Sequence, residues 1–276
     1  MEKFIPQNAN PAPVKYMAIG AHQDDVEIMA LDGILKGQGQ DASFCAVVLA
    51  DGAGCPKNGK YANLKKDEIM RLRSDEQKRA AQIGRYHSLY LLNKPSENIK
   101  RQDAQIVAEL VQILKEYPAL EVLYIHDLCD RHQTHVGAAK LALFAVLKLP
   151  QKDRPKKLLG CEMWRSLDWL PDDEKVVLDL DFEEDASICE AQEKSFADRL
   201  VAVYESQNSA KSYDEGARGR RLANATFSDS HQNNAASERW FAMDLTPLIC
   251  QNAPSVKEFL SQKLDKFKKS VLDNFD

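Results

Sequence analysis

Apolar residues in this chain fall into short runs that alternate with helically spaced ones. Met17 to Ala21 is a run suited to a buried strand, and behind it Ile28, Leu31, Ile34 and Leu35 recur on one helix face, closed by Gly37 and Gly39. The pattern predicts strands at 15–21, 42–49, 89–92 and 121–125, with helices at 25–37, 64–83, around 106–114 and at 138–149, the last closed by Pro150. Residues 1–14 read as a polar, proline-containing arm. Beyond Pro155, strand-like runs at 158–164 and 176–180 precede a helix at 185–206, a Gly/Arg/Asn-rich segment at 208–234 and a last helix at 255–272. Strand–helix alternation is the pattern of an α/β fold, here a Rossmann-like, doubly wound, mostly parallel sheet with a C-terminal elaboration. No linker or repeat interrupts it. The expectation is therefore one domain over 1–276, with a core at 1–150 and, at 151–276, added strands, a substrate loop and a C-terminal helix.

Composition narrows the partners. A net charge of −5 with both signs dispersed gives no basic field for nucleic acid. No apolar run approaches the roughly 20 residues of a membrane span, and the N-terminus lacks the apolar stretch of a secretory signal. The six cysteines are scattered without a CxxC pair, which fits reduced thiols and a cytoplasmic location. A homo-oligomer is compatible with all of this.

The chemistry-bearing residues collect where predicted parallel strands end, the place where ligands bind in open α/β sheets. The first strand runs into His22-Gln23-Asp24-Asp25. His22 and Asp25 are close enough to grip one divalent ion, and Asp24 would project differently and stay free; the plainer use of either aspartate is a helix cap. The fourth strand opens onto His126 and then Asp130-Arg131-His132-Gln133-Thr134-His135. Two histidines and one aspartate make a three-ligand site with an open position, the catalytic rather than the structural zinc pattern. Asp24 is then placed to act as general base, the remaining histidine to donate to an oxyanion, and Asp130 to orient the His132 ring. His126 is a candidate for the pocket wall. Asp51-Gly52-Ala53-Gly54, at the end of the second strand, reads as a turn that can also bring backbone amides to a ligand. Trp164 and Trp169 suit core packing, with stacking on a sugar as the other use. Arg218, Arg220, Arg221, Asn224 and His231 suit either a solvated basic loop or a lid over an anionic or polyhydroxyl substrate.

Ala21-His22-Gln23-Asp24-Asp25-Val26-Glu27 resembles the AHPDDxE motif of the PIG-L/LmbE-like family of zinc-dependent N-acetylglucosaminyl deacetylases. Residues 130–135 resemble its DxHxDH motif, and Arg73-Ser74-Asp75-Glu76 its RxxE helix. The resemblance implies one zinc ion per chain held by His22, Asp25 and His135. It also implies Asp24 as base, His132 as oxyanion stabiliser or proton donor, and Arg73 near the acetyl or sugar subsite, against the alternative of an exposed helix charge. Gln23 stands where the motif has proline, and Thr134 where it has aspartate. The activity implied is removal of an acetyl group from an N-acetylated amino sugar or its conjugate. The alternatives are hydrolysis of another small amide or ester at the same site, or carbohydrate binding without catalysis. A nucleotide-binding oxidoreductase is disfavoured, because no GxGxxG follows the first strand.

Overall fold

In the structure, a computed structural model describing residues 1–181, 194–228 and 237–275, the central strands are β2 (Val14–Gly20), β3 (Ser43–Ala50) and β5 (Val122–His126). Every residue of β3 is buried, as expected of a parallel strand covered on both faces. Successive residues point to opposite faces, so Met17, Ile19, Cys45 and Val47 enter one core while Ala18, Ala46 and Val48 enter the other. Helices α5 (Ala104–Lys115) and α6 (Gln133–Leu147) close the first core. Helices α1 (Asp25–Met29) and α2 (Leu31–Lys36), with the end of α3 (Lys66–Ile83), close the second.

Strand β4 (Ser88–Lys94) pairs with β3, and β6 (Lys157–Cys161) pairs with β5, which makes β4-β3-β2-β5-β6 a continuous parallel set. With β1 (Glu2–Phe4), β7 (Lys175–Asp179) and β8 (Arg239–Asp244), the described residues form a mixed eight-stranded sheet of the expected α/β class, in the order β1-β4-β3-β2-β5-β6-β8-β7. The chain leaves β2 toward β3 and β4, then returns to place β5 on the other side of β2. The crevice between the C-terminal ends of β2 and β5 is thus the switch point of the sheet.

Three departures from the sequence pattern have local causes. Residues 1–14 are not wholly an arm, since β1 (Glu2–Phe4) pairs antiparallel with β4; three residues are too few to show a period. Strand β8 (Arg239–Asp244) inserts antiparallel between β6 and β7 (Lys175–Asp179), although its apolar run, Trp240 to Met243, is only four residues between charges. The helix expected at 25–37 breaks at Ala30 (φ −118°, ψ 24°), and α2 lies directly on the sheet, where a Cβ on Gly33 would stand 2.5 Å from Tyr124 Cε2.

Of the helix expected at 185–206, residues 185–193 lie outside the described residues, and the remainder is broken between the helices Phe196–Ala202 and Glu205–Lys211. Arg218, Arg220, Arg221 and Asn224 form neither a lid nor a solvated loop, because they lie on the helix Tyr213–Ser228. Arg221 is buried and reaches Asp198 (2.6 Å) and Glu238 (2.7 Å). Arg220 and Asn224 both bond Glu162, each at 2.8 Å. His231 lies outside the described residues. Among the described residues no helix is long and apolar enough to cross a membrane.

Helix α6 carries His135 into the crevice and packs on α4 (Ser96–Lys100) through Gly137, where a Cβ would fall 2.7 Å from the Ile99 carbonyl oxygen. A backbone atom cannot swing aside as a side-chain tip can. Gly137→Ala should therefore lower stability by about 1–3 kcal/mol, seen as a fall in melting temperature of roughly 2–4 °C per kcal/mol. An unchanged melting temperature would show that the two helices have room to part.

Candidate active site

The turn after β2 is closed by its own polar groups. A Cβ on Gly20 would stand 2.9 Å from Val26 Cγ2, so the chain can double back tightly there. The His22 backbone N–H then donates to Asp25 Oδ2 at 2.7 Å. Asp24 adopts φ 94°, a left-handed conformation that is uncommon for a residue with a side chain, and its carboxylate makes no cap bond to α1. Capping is thus not its use. Two neighbours hold the strained turn. The Gln23 amide donates to the Ala50 carbonyl at 3.0 Å, and Arg73 donates to the Gln23 carbonyl.

Three histidine rings converge on Asp25. His22 Nδ1 lies 3.2 Å and His126 Nε2 3.1 Å from Asp25 Oδ2, and His135 Nε2 lies 3.6 Å from Oδ1. His22 Nδ1 and His135 Nε2 are themselves 3.2 Å apart. Burial raises the Asp25 carboxyl, but the charges of His135, His126 and His22 outweigh it and hold the group well below the usual carboxylate range. His135 Nδ1 faces Asp130 Oδ2 at 2.8 Å. Its N–H donates to that carboxylate, so the Nε2 lone pair is left facing His22 and Asp25.

The donor set fits a divalent cation. His22 Nδ1 stands 3.2 Å from both Asp25 Oδ2 and His135 Nε2, and His135 Nε2 stands 3.6 Å from Asp25 Oδ1, near the edge of about 3.3 Å expected between tetrahedral zinc ligands. Three electron-rich atoms pointed at one another repel unless a positive charge lies among them. His132 stands beside them, its ring 5.1 Å from that of His22 and 4.5 Å from that of His135, and a ring nitrogen of it can join the group as a further donor. His126 is different. It is fully buried beneath Asp25, its Nε2 accepts the Ala21 N–H at 3.0 Å, and it does not line the crevice.

The predicted site residues therefore separate. His22, Asp24, Asp25, Asp130, His132, His135, Arg73 and Gly52 all line a cavity of about 1100 Å³ at the switch point. Asp51 does not, because its carboxylate turns back to accept the Ala53 N–H at 3.0 Å and closes the 51–54 turn. The bond expected between Asp130 and the His132 ring is replaced by another. Asp130 Oδ1 accepts the His132 backbone N–H at 2.7 Å, which turns Oδ2 toward the first turn of α6 and onto His135.

Arg73 is not an exposed helix charge. It is 2% exposed, with Nη2 3.4 Å from Asp24 Oδ2. Burial pushes Asp24 up to about 6 against the pull of that guanidinium. Glu76 and Gln77 on α3 belong to the same assembly, since Glu76 Oε2 is 3.8 Å from Arg73 and Gln77 Oε1 accepts the Asp24 N–H at 3.4 Å. Their spacing of three and four residues from Arg73, on one helix face, is the signal in the sequence that finds them.

A switch-point crevice with a carboxylate–histidine donor set defines an α/β protein with a candidate metal centre, and comparison places it further. Residues 17–146 match the PIG-L family model, described as GlcNAc-PI de-N-acetylase. No curated sequence matches the chain. Among solved structures the chain is similar to the N,N'-diacetylchitobiose deacetylase of Pyrococcus horikoshii (17% identity, TM-score 0.62, covering 92% of each chain). It is also similar to GalB, the 4-carboxy-2-hydroxymuconate hydratase of Pseudomonas putida KT2440 (16% identity, TM-score 0.65, 87% of this chain and 100% of that one). A third is the zinc-inhibited form of the teicoplanin deacetylase Orf2 (14% identity, TM-score 0.58, 83% and 98%). At these identities the likeness shows the shared fold, and the fold houses more than one reaction.

Because Asp130 supports His135 rather than His132, its loss should be felt at the donor set. Asp130→Ala should weaken binding of a divalent cation about 10- to 100-fold, as removal of a ligand's carboxylate partner does. Competition against a chelator of known affinity reads this directly, and unchanged affinity would show that His135 keeps its orientation unaided.

Proposed function

We propose that this protein is a metal-dependent N-deacetylase that hydrolyses the acetamide of an N-acetylglucosamine-type sugar or sugar conjugate, with one zinc ion per chain held by His22, Asp25 and His135. The observation that carries the proposal is the division of labour within a single turn. Asp25 faces the histidines, while its neighbour Asp24 turns away to Arg73 and the cavity. Binding alone has no use for a second, strained, buried carboxylate, which weighs against a non-catalytic sugar-binding role. A zinc ion, when bound, polarises the amide carbonyl and favours deprotonation of water.

The chain's own residues supply the remainder. Asp24 accepts a proton from the attacking water as its oxygen adds to the acetyl carbon. Arg73 keeps Asp24 aimed and ionised. Burial lowers His132, so at neutral pH it presents an uncharged ring whose N–H can donate to the developing oxyanion. As the C–N bond breaks, protonated Asp24 passes its proton to the amine, leaving acetate and a free amino sugar. We read 1–276 as one domain, because strands from both halves share the sheet. Cys45, Cys55, Cys129, Cys161 and Cys250 are free thiols, in keeping with a reducing, cytoplasmic setting.

Amine release from N-acetylglucosamine, N,N'-diacetylchitobiose and related conjugates, with and without chelator, tests the reading. The expected result is release that stops with chelator and returns with about one equivalent of zinc. His135→Ala should lose most of the metal. Asp24→Asn should keep it while turnover falls about 10²–10⁴-fold. A zinc-loaded protein that releases no amine from any member of the panel, or an Asp24→Asn variant of normal activity, would overturn the assignment.

A further inference from the structure

Resting on the deacetylase reading, we infer that Trp164 is a specificity-determining residue, a ring platform on which a second ring of the substrate, beyond the acetylated sugar, stacks. The cavity holding the metal-ligand candidates measures about 1100 Å³, at the top of the roughly 300–1,000 Å³ that accommodates drug-sized ligands. One N-acetylated hexosamine is smaller than such a ligand and leaves much of that space open. The far wall is aromatic, with Trp164, Trp169 and Tyr213 lining the same cavity as His22, Asp24 and His132.

The loop carrying Trp164 is built rather than loose. Met163 is buried in one core, and Leu167 and Leu170 in the other. Ser166 Oγ accepts the Met163 N–H at 3.0 Å and donates to the Asp127 carboxylate at the end of β5. Arg220 clamps the loop's two ends together through Glu162 and Asp168. Within this frame Trp164 has φ +58°, a conformation that a bulky residue adopts only when its surroundings impose it. Tyr213 backs the ring at 5.2 Å between centroids. Gly216, one turn along, leaves the room, since a Cβ there would stand 3.1 Å from Trp164 Cζ3. The ring is half-buried, and its indole N–H has no hydrogen-bond partner among the described residues. An indole packed beside Tyr213 and lining the cavity can take the face of a ring, with its N–H beside a hydroxyl. Trp169 is spoken for differently, with its edge toward Phe267 of the C-terminal helix Val256–Leu272.

A second ring can be a sugar or an aryl group, and substrate choice separates them. Amine release and calorimetric binding are measured for zinc-loaded wild type, Trp164→Gly and Trp164→Phe. The ligands are N-acetylglucosamine, N,N'-diacetylchitobiose and phenyl N-acetyl-β-glucosaminide. Glycine tolerates the left-handed backbone and removes only the ring, while phenylalanine retains a stacking face. The expected result is that wild type prefers at least one two-ring substrate. Trp164→Gly should raise KM for that substrate about 3- to 10-fold, with kcat, metal content and the single-ring KM within about twofold. Trp164→Phe should keep most of the preference. An equal loss on one-ring and two-ring substrates would assign Trp164 a purely structural role and overturn the inference. Turnover of N-acetylglucosamine with no two-ring preference in wild type would overturn it while leaving deacetylation standing. Neither turnover nor binding of any of the three would overturn both.

Discussion

The site depends on one buried negative charge, that of Asp25. It accepts the His22 N–H of its own turn and draws the rings of His22, His126 and His135 around it. Such a charge at 3% exposure is tolerable only with this many partners. The same requirement fixes the architecture around it, because the partners come from the ends of two strands and the first turn of α6. These elements meet only where β2 and β5 lie side by side. Asp130 extends the arrangement outward by holding His135. The metal-ligand candidates are therefore held in place by the turn's backbone bond and by Asp130, and a cation among them would relieve the repulsion of their lone pairs.

A second polar layer ties the C-terminal half of the chain to this centre. Glu27, two residues beyond Asp25, is buried and accepts from Tyr86 (2.6 Å), Gln77 (2.8 Å) and Tyr204 (2.6 Å). Burial still raises it, to about 7. Glu76 accepts the Ser206 N–H at 2.9 Å and its hydroxyl at 2.6 Å. Tyr204 also lies over the Arg73 guanidinium, 5.8 Å from centre to centre. The segment 204–206 thus packs as a plug against α1 and α3, and it holds Arg73 and through it Asp24. A substitution at Tyr204 or Ser206 reaches the candidate base without touching it.

What was legible in the sequence was what is local. His22 and Asp25 sit three apart in one turn, and His132 and His135 three apart at a helix start, so chain geometry brings each pair together. The strand–helix alternation was legible for a similar reason, since period is a short-range property. Partners set by direction were not. Asp130 is nearest His132 in sequence and does bond it, but through the backbone, which sends the other oxygen to His135. The arginines of 218–221 look like a solvated patch because Glu162, Asp168, Asp198 and Glu238 are remote in sequence and adjacent only once β6 and β8 have paired. The burial of Arg73 was hidden in the same way, for α3 reads as a charged helix until the polar plug at 204–206 is placed on it.

The chain divides its labour accordingly. The segment that matches the PIG-L model, 17–146, carries the candidate metal ligands, the candidate base and the turn that separates them. Residues beyond 150 supply the walls, through the 162–170 loop, the 204–206 plug and the helix that braces Trp164. The same fold serves a hydratase of one substrate and deacetylases of others, so the fold does not choose the reaction's target. The choice must lie in whatever fills the cavity opposite the metal-ligand candidates. In this chain that wall is a clamped loop holding a bulky ring in a backbone conformation that the ring alone would not select. Strain held by so many contacts has a physical cause in the surrounding loop, which sets the indole against the cavity.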